Sequence, residues 1–152
     1  MMGKRKAVFL DRDGVINQDN VNYTFRISEF IILDRVIESL FMLKDAGYLL
    51  IIVTNQSGIA KGIYTREDVW RCFHHIQEQT GHLIDEHYFA PHHPDFNTES
   101  LTRKPDSLMI EKGIAKFKVD TSQSWMVGDS KRDMIAAQKQ DLSCIMLPQQ
   151  SS

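Results

Sequence analysis

Residues 48–53 read Tyr-Leu-Leu-Ile-Ile-Val, an unbroken apolar run about as long as a typical strand. A short run of this kind, rich in branched side chains and without polar alternation, is typical of a strand buried on both faces of a parallel sheet. Gly47 precedes the run and the polar pair Thr54-Asn55 follows it, as turn residues do. The run therefore predicts a central strand and, around that strand, a layered α/β fold.

Further apolar runs are spaced along the chain, with stretches of helical periodicity between them. The runs predict strands over 7–10, 88–90, 124–127 and 144–147. The periodic stretches predict helices over 36–46, from about 66 to 80, over 106–117 and from 131 to about 140. Strands that alternate with helices predict a Rossmann-like parallel sheet of about five strands, with helices on both faces.

The composition is that of an ordinary globular chain. The length of 152 residues, 42% of them apolar, predicts one domain over residues 1–152. A net charge of −2 leaves no excess of positive charge for binding a nucleic acid. The run 48–53 is far shorter than the about 20 residues of a membrane-spanning helix, and the stretch 7–10 is too short for a signal peptide. We expect a cytoplasmic protein, without a nucleic-acid or membrane partner, that acts as a monomer.

Two carboxylates follow the first predicted strand. Asp11 and Asp13 come directly after residues 7–10, and Gly14 allows the chain to bend sharply behind them. Acidic side chains held this close on a rigid backbone rarely serve packing. Taken alone, however, the pair is explained equally well as a solvated turn between a strand and a loop. The rest of the chain has to decide between the two interpretations.

Polar groups also follow the second predicted strand and precede the third long helix. Thr54 and Asn55 offer a hydroxyl and backbone N–H groups to a phosphoryl oxygen, with a plain polar turn as the alternative. Arg103 and Lys104 lie before Pro105 at the predicted mouth of a helix, where the helix dipole already favours anions. This position favours an anion site over a merely solvated basic pair.

More carboxylates follow the fourth predicted strand. Asp129 comes directly after Gly128, and Asp133 lies one helical turn later. We interpret Asp129 as the better metal ligand and expect Asp133 to support the first turn of the helix. Ligands of open α/β sheets bind at the carboxyl ends of the strands, where all these groups are predicted to lie. Carboxylates together with a hydroxyl and a cation predict Mg²⁺ and a phosphate-bearing ligand.

Stretches of the chain resemble, in order, the four motifs of the haloacid dehalogenase-like phosphatases. They are Phe-Leu-Asp-Arg-Asp-Gly-Val at 9–15, Val-Thr-Asn at 53–55, Arg-Lys-Pro at 103–105 and Val-Gly-Asp-Ser-Lys-Arg-Asp at 127–133. Within that superfamily, Asp-Gly-Val-Ile-Asn at 13–17 and Thr-Asn-Gln-Ser-Gly-Ile-Ala-Lys-Gly at 54–62 are most similar to the D-glycero-D-manno-heptose 1,7-bisphosphate phosphatases. The resemblance spans almost the whole chain. It implies a Mg²⁺-dependent phosphomonoester hydrolase of heptose metabolism.

The resemblance implies a role for each acidic residue. Asp11 would attack phosphorus and form an aspartyl-phosphate intermediate. Asp13 would protonate the departing sugar oxygen and later take a proton from the hydrolytic water. Mg²⁺ would be held by the Asp11 carboxylate, the Asp13 backbone carbonyl and Asp129.

The resemblance also implies which residues hold the phosphoryl group and the sugar. Thr54 and the Asn55 N–H would bind phosphoryl oxygens, and Lys104 would neutralise the charge that moves during transfer. Arg103 would recognise the substrate. The sugar site would be lined by Asp19, Gln56 and Ser57.

Two positions depart from the pattern of the heptose phosphatases. Those relatives close a structural zinc site with a loop whose ligand positions correspond here to Ala90, His92, Ser100 and Thr102. Because structural zinc requires four ligands and only one histidine remains, we predict no structural zinc. In addition, Ser130 stands where the relatives often carry a lysine, so we expect a less cationic site.

The predicted substrate is a small sugar phosphate, with heptose 1,7-bisphosphate as the first choice and histidinol phosphate as the alternative. The stretches after Gly14 and Asn55 are too short to hold a mobile cap domain. Specificity would therefore come from the loops 17–26, 58–64 and 91–103. Lys61 or Arg66 could meet a second phosphate.

A receiver-type signalling domain is the alternative from another functional class. It also combines an α/β fold with acidic residues, a threonine and a lysine around Mg²⁺. A receiver, however, carries its phosphorylated aspartate after the third strand, where this chain has Ala90-Pro91. The order of the groups along the chain therefore favours the phosphatase.

Overall fold

The structure, a computed structural model, describes residues 4–96 and 100–149. Strands and helices alternate along this part of the chain. The strands are β1 (Ala7–Leu10), β2 (Leu49–Asn55), β3 (Glu86–Ala90), β4 (Trp125–Gly128) and β5 (Ser143–Met146). The α-helices are α1 (Val36–Asp45), α2 (Arg66–Thr80), α3 (Leu108–Phe117) and α4 (Lys131–Gln138), and 3₁₀ turns form at Ile27–Glu29 and Thr121–Gln123.

The strands form one parallel sheet in the order β3-β2-β1-β4-β5. In β1, the middle strand of the sheet, Leu10 lies opposite Ile52 of β2 and Val127 of β4. The strand order reverses between β1 and β4, which makes this the switch point of the sheet. In open α/β sheets, ligands bind in a crevice at the carboxyl ends of the strands that flank the switch point. Receiver domains have the flavodoxin-like order 2-1-3-4-5, so the strand order contradicts the receiver alternative.

Helices cover both faces of the sheet, as the sequence predicted. Successive side chains of a strand point to opposite faces. Phe9 and Ile51 therefore belong to a core shared with α3 and α4, while Leu10 and Ile52 belong to a second core shared with α1 and α2. The prediction of a Rossmann-like parallel sheet is confirmed.

Local signals set the ends of α2. The Thr65 hydroxyl accepts a hydrogen bond from the Asp68 N–H, and the Asp68 carboxylate accepts one from the Thr65 N–H, which forms a capping box. Gly81 ends the helix in the left-handed conformation, with φ of 72°. Both signals are visible in the sequence because they involve neighbouring residues only.

Several predicted boundaries are wrong. Strand β2 continues through Thr54 and Asn55 because their backbones pair with β3, and this pairing does not require apolar side chains. Helix α3 begins at Leu108 rather than at 106, with Ser107 before it, so Pro105 does not open the helix. Helix α4 ends at Gln138, short of the predicted 140.

The segments that follow β1 and β2 are the places where a cap domain would be inserted. Within the described chain, residues 11–35 contain the 3₁₀ turn Ile27–Glu29 and isolated β-bridges at Asp13, Asn17 and Ile32, and residues 56–65 contain no helix or strand of their own. This agrees with the prediction that no cap domain is present. No helix in the described ranges is both long and apolar enough to cross a membrane.

Candidate active site

A cavity of about 210 Å³ opens at the carboxyl ends of β1, β2 and β4, beside the switch point of the sheet. Its wall collects residues from four separate stretches of chain. They are Asp11, Asp13, Asp19, Asn20 and Tyr23 after β1, Asn55, Gln56 and Ser57 at β2, Arg103 and Lys104 before α3, and Asp129, Ser130, Arg132 and Asp133 after β4, with Gln149 near the end. The sequence motifs thus converge on one site.

Lys104 is the buried cation of this site. Only 3% of its surface is exposed, and its Nζ donates to Asp11 Oδ1 at 3.0 Å, to Asp133 Oδ1 at 2.5 Å and to the Val53 carbonyl at 3.0 Å. Burial alone would lower the pKa of Lys104, but the two carboxylates raise it above its ordinary value. Lys104 therefore carries its positive charge between two acids.

Asn55 holds the backbone of Lys104 in place. Its Nδ2 donates to the Lys104 carbonyl at 3.1 Å, and its Oδ1 accepts from the Lys104 N–H at 3.0 Å. This contact between β2 and the segment before α3 directs the lysine side chain into the sheet edge. Lys104 therefore contacts Asp11 directly. The sequence had predicted that Lys104 lies at the mouth of α3, but the helix begins later, at Leu108.

The carboxylates of Asp11, Asp129 and Asp133 each offer an oxygen within 4.8 Å of the others. Burial, assisted by Asp133 and Asp13 and opposed by Lys104, raises the pKa of Asp11 to about 7. Burial and the neighbouring Asp133 and Asp19 also raise the pKa of Asp129. Negative charge at this edge of the sheet therefore exceeds what the protein itself neutralises.

The excess charge and the donor atoms fit a divalent cation. Three of the five acids of the cavity wall, Asp11, Asp129 and Asp133, converge here, and the buried cation Lys104 contacts two of them. A dication would offset the remaining negative charge, and Mg²⁺ prefers oxygen ligands of this kind. The described residues contain one group of acids with this spacing, and no histidine or cysteine belongs to it. The donor set thus favours Mg²⁺ over a softer metal.

Asp133 has a structural position, as the sequence predicted. Its Oδ2 accepts hydrogen bonds from the N–H groups of Asp129 and Ser130, both at 3.2 Å, and from the Ser130 hydroxyl at 3.0 Å. A Cβ on Gly128 would lie 2.4 Å from Asp133, so only glycine fits there. Asp133 thereby fixes the loop that presents Asp129, while its other oxygen holds Lys104.

Asp13 lies beside Asp11 and is held by both of its carboxylate oxygens. Oδ1 accepts from Arg12 Nη2 at 2.8 Å, from Arg12 Nε at 3.1 Å and from Asn17 Nδ2 at 3.0 Å. Oδ2 accepts from Gln56 Nε2 at 3.1 Å. Gln56 contributes to the cavity wall, but it is 2% exposed and its amide is bound to Asp13.

Thr54 is placed less openly than the sequence suggested. Its side chain is 1% exposed, and its hydroxyl oxygen accepts a hydrogen bond from Gln56 at 3.1 Å. In this stretch of chain, the first residue of the cavity wall is Asn55, and Thr54 is not part of the wall. The threonine hydroxyl lies under the wall and supports Gln56.

The remaining predicted substrate residues lie around the mouth. Asp19, Ser57 and Arg103 all contribute to the cavity wall. Arg103 is half-buried, and its Nη1 donates to the His92 carbonyl at 3.2 Å. The loop whose positions correspond to the zinc ligands of the relatives is therefore attached to the site through Arg103, although residues 97–99 of this loop lie outside the described ranges.

Sequence reasoning did not single out four residues of the wall, Asn20, Tyr23, Arg132 and Gln149. Arg132 follows Ser130 by two positions, and together with burial it lowers the pKa of Arg103, so the two guanidinium groups lie close together. Arg132 thus adds a positive charge to the wall, and the expectation that the site is less cationic than in the relatives stays a prediction. Lys61, one of the two residues that could meet a second phosphate, donates to the hydroxyl of the wall residue Tyr23 at 2.5 Å.

The chain matches known proteins over most of its length. The family model described as haloacid dehalogenase-like hydrolase matches residues 15–147. D-glycero-beta-D-manno-heptose-1,7-bisphosphate 7-phosphatase of Haemophilus ducreyi is 39% identical over 146 residues, covering 90% of this chain and 79% of that protein. D-glycero-alpha-D-manno-heptose-1,7-bisphosphate 7-phosphatase of Burkholderia mallei is 40% identical over 141 residues, covering 88% of this chain and 74% of that protein.

A solved structure agrees with these relatives. The crystal structure of D,D-heptose 1,7-bisphosphate phosphatase from B. bronchiseptica, complexed with magnesium and phosphate, superposes with a TM-score of 0.82 at 30% identity. The match covers 93% of this chain and 79% of that one. The resemblance found in the motifs is confirmed: the chain belongs to the haloacid dehalogenase-like hydrolases, in the group of phosphatases that contains the heptose-1,7-bisphosphate 7-phosphatases.

Proposed function

We propose that this chain is a Mg²⁺-dependent phosphatase that hydrolyses D-glycero-D-manno-heptose 1,7-bisphosphate at its 7-phosphate through an aspartyl-phosphate on Asp11. The names and the identity of its relatives support the substrate. One observation in the structure carries the chemistry. Asp11 is a buried carboxylate that faces the cavity and is paired with the buried cation Lys104 at 3.0 Å.

The residues that would hold Mg²⁺ are the carboxylates of Asp11 and Asp129 and the backbone carbonyl of Asp13. When bound, the metal ion neutralises charge between an anionic carboxylate and an anionic phosphate, which would otherwise repel each other. Asp133 contributes indirectly, since it fixes the loop of Asp129 and orients Lys104.

In the first step, a carboxylate oxygen of Asp11 attacks phosphorus while the bond between phosphorus and the sugar oxygen breaks. Lys104 opposes the rise that burial causes in the pKa of Asp11, and it neutralises part of the charge that develops on the phosphoryl oxygens. The Asn55 N–H at the end of β2 and the hydroxyl of Thr54 complete the phosphoryl site. To do so, Thr54 would have to give up the hydrogen bond that its hydroxyl donates to the Asn55 carbonyl at 3.4 Å.

Asp13 supplies and recovers the proton. In its acid form it protonates the sugar oxygen as the ester bond breaks, and in its carboxylate form it takes a proton from the water that attacks the aspartyl-phosphate. That second attack releases inorganic phosphate and restores the Asp11 carboxylate. Arg103, Asp19 and Ser57 on the cavity wall would bind the rest of the substrate, with Gln56 as a support for Asp13.

The test measures phosphate release from heptose 1,7-bisphosphate and from histidinol phosphate, with Mg²⁺ and with excess chelator. The proposal predicts Mg²⁺-dependent turnover that prefers the bisphosphate and is abolished in Asp11→Asn. Asp45→Asn, an exposed acid at the end of α1, is the matched control and should keep the parent rate. Equal rates on both esters would remove the substrate assignment, and parental turnover in Asp11→Asn would remove the covalent mechanism.

A further inference from the structure

A buried chain of hydrogen bonds runs from Tyr64 to Asp13. Tyr64 lies between β2 and α2 with 5% of its surface exposed, and its hydroxyl donates to Gln56 Oε1 at 2.6 Å. Gln56 Nε2 donates in turn to Asp13 Oδ2 and to Thr54 Oγ1, both at 3.1 Å. Tyr64 does not belong to the cavity wall, but it contacts two residues that do: Gln56 through its hydroxyl, and Tyr23 through its ring, with centroids 5.9 Å apart.

The direction of this chain is fixed at both ends. Burial raises the pKa of Tyr64 well above its ordinary value, so the phenol keeps its proton and acts as the donor. At the other end, Asp13 Oδ2 accepts from the Gln56 amide N–H. The Gln56 amide therefore has one orientation that satisfies both partners, with its oxygen toward Tyr64 and its nitrogen toward Asp13.

The loop between β2 and α2 is shaped to hold the Tyr64 ring. A Cβ on Gly58 would lie 2.0 Å from the Tyr64 ring, so the ring passes where any other residue would have a side chain. On another side the ring stacks on Phe25, with centroids 5.3 Å apart and an angle of 15° between the planes. The contacts of the ring with Gly58 and Phe25 thus hold the Tyr64 hydroxyl in place next to Gln56.

The two oxygens of Asp13 are not equivalent. Oδ1 accepts three hydrogen bonds, from Arg12 and Asn17, whereas Oδ2 accepts one, from Gln56. Oδ2 therefore has a lone pair left for the proton that is transferred to the substrate. The direction of this oxygen depends on Gln56, and the direction of Gln56 depends on Tyr64.

We propose that Tyr64 is a positioning residue for the proton donor, holding Asp13 Oδ2 toward the leaving oxygen of the substrate through the amide of Gln56. The inference rests on the proposed function, because it takes Asp13 as the acid. In the step concerned, the Oδ2–H bond of Asp13 breaks and a bond from hydrogen to the sugar oxygen forms as the phosphorus–oxygen bond breaks.

The experiment compares kcat/KM for heptose 1,7-bisphosphate and for p-nitrophenyl phosphate in the parent and in Tyr64→Phe. The sugar oxygen needs a proton in order to leave, whereas p-nitrophenolate leaves without one. Because kcat/KM covers the steps up to the release of the alcohol, the later hydrolysis of the intermediate does not enter. The proposal predicts a loss of about five- to tenfold on the sugar ester, as expected for one hydrogen bond, and less than about twofold on the aryl ester.

Two further variants test whether the effect passes through Gln56. Gln56→Ala should show the same selective loss, at least as large as that of Tyr64→Phe. The double variant should be no worse than Gln56→Ala alone, because residues of one network are not additive. Tyr88→Phe is the matched control; this half-buried tyrosine lies on β3, outside the cavity wall, and should leave both esters unaffected.

The outcomes separate failure of the inference from failure of the proposed function. An equal loss on both esters in Tyr64→Phe would indicate a structural role only, and no loss, or additivity with Gln56→Ala, would also overturn the inference. Asp13→Asn should lose far more activity on the sugar ester than on the aryl ester. If Asp13→Asn shows no such preference, the acid has been assigned wrongly and the proposed mechanism itself fails.

Discussion

The acid sensitivity of the fold provides a prediction whose size follows from one residue, His87. This histidine lies on β3 with 4% of its surface exposed, and its ring stacks on Phe73 with centroids 4.6 Å apart. Neither ring nitrogen has a hydrogen-bond partner among the described residues. Burial, with a smaller contribution from Arg12, lowers the pKa of His87 from 6.5 to about 3.

The sign and the size of the effect follow from this pKa. Between pH 6.5 and 3 the unfolded chain binds a proton at His87 that the folded chain does not bind, so the free energy of unfolding falls as the pH falls. Each pH unit within this window costs about 1.4 kcal/mol per proton. Lowering the pH from 7 to 5 should therefore remove about 2 kcal/mol through His87 alone.

The perturbation is His87→Phe, and the assay is urea unfolding followed by circular dichroism at pH 7, 6 and 5. The variant should lose about 2 kcal/mol less than the parent over this range. The difference in pH dependence is the quantity of interest, because any packing cost of the larger ring is the same at each pH. His74→Gln, an exposed histidine on α2, should follow the parent. Parallel curves for the parent and His87→Phe would refute the reasoning.

Three further variants test the site. Lys104→Met leaves two buried carboxylates unpaired and should cost about 3–5 kcal/mol of unfolding free energy, measured in chelator, and reduce kcat at least about a hundredfold. Parental stability would show that the pairing with Asp11 is unimportant. Asp133→Asn should cost about 1–3 kcal/mol and weaken Mg²⁺ activation, measured by titrating the metal; an unchanged Mg²⁺ requirement would contradict its role in the site. Arg132→Gln should raise KM about tenfold for a sugar bisphosphate but not for a sugar monophosphate. The control Lys131→Gln lies outside the cavity wall and should raise the KM of neither substrate. Equal effects of Arg132→Gln on both substrates would argue against a second phosphate near Arg132.

The sheet could be predicted from the sequence because parallel strands that are buried on both faces consist of continuous apolar runs. Residues 48–53 have this pattern, and their partners on either side have shorter versions of it. The carboxylates were found for a related reason, since Asp11 and Asp129 directly follow such runs and the carboxyl ends of neighbouring parallel strands meet. The alternation of strands and helices was therefore enough to place both acids at one edge.

Contacts between distant residues could not be predicted in the same way. Pro105 resembles a helix start, but the backbone of Lys104 is bound by the side chain of Asn55, and α3 begins later. Gln56 resembles a surface polar residue in a loop, and only the packing of Tyr64 above it shows that it is buried. In both cases the decisive partner is a side chain whose position depends on the tertiary structure.

The central claim is that the phosphoryl group passes through Asp11. The most direct test is an acid quench of the parent during turnover of a sugar bisphosphate labelled at the reacting phosphate, followed by reduction with borohydride and peptide mass spectrometry. Borohydride converts an aspartyl-phosphate to homoserine, so the site of modification identifies the nucleophile. We predict homoserine at position 11 and none in Asp11→Asn. Modification at Asp13 or Asp129, or turnover without any acyl-phosphate, would contradict the account.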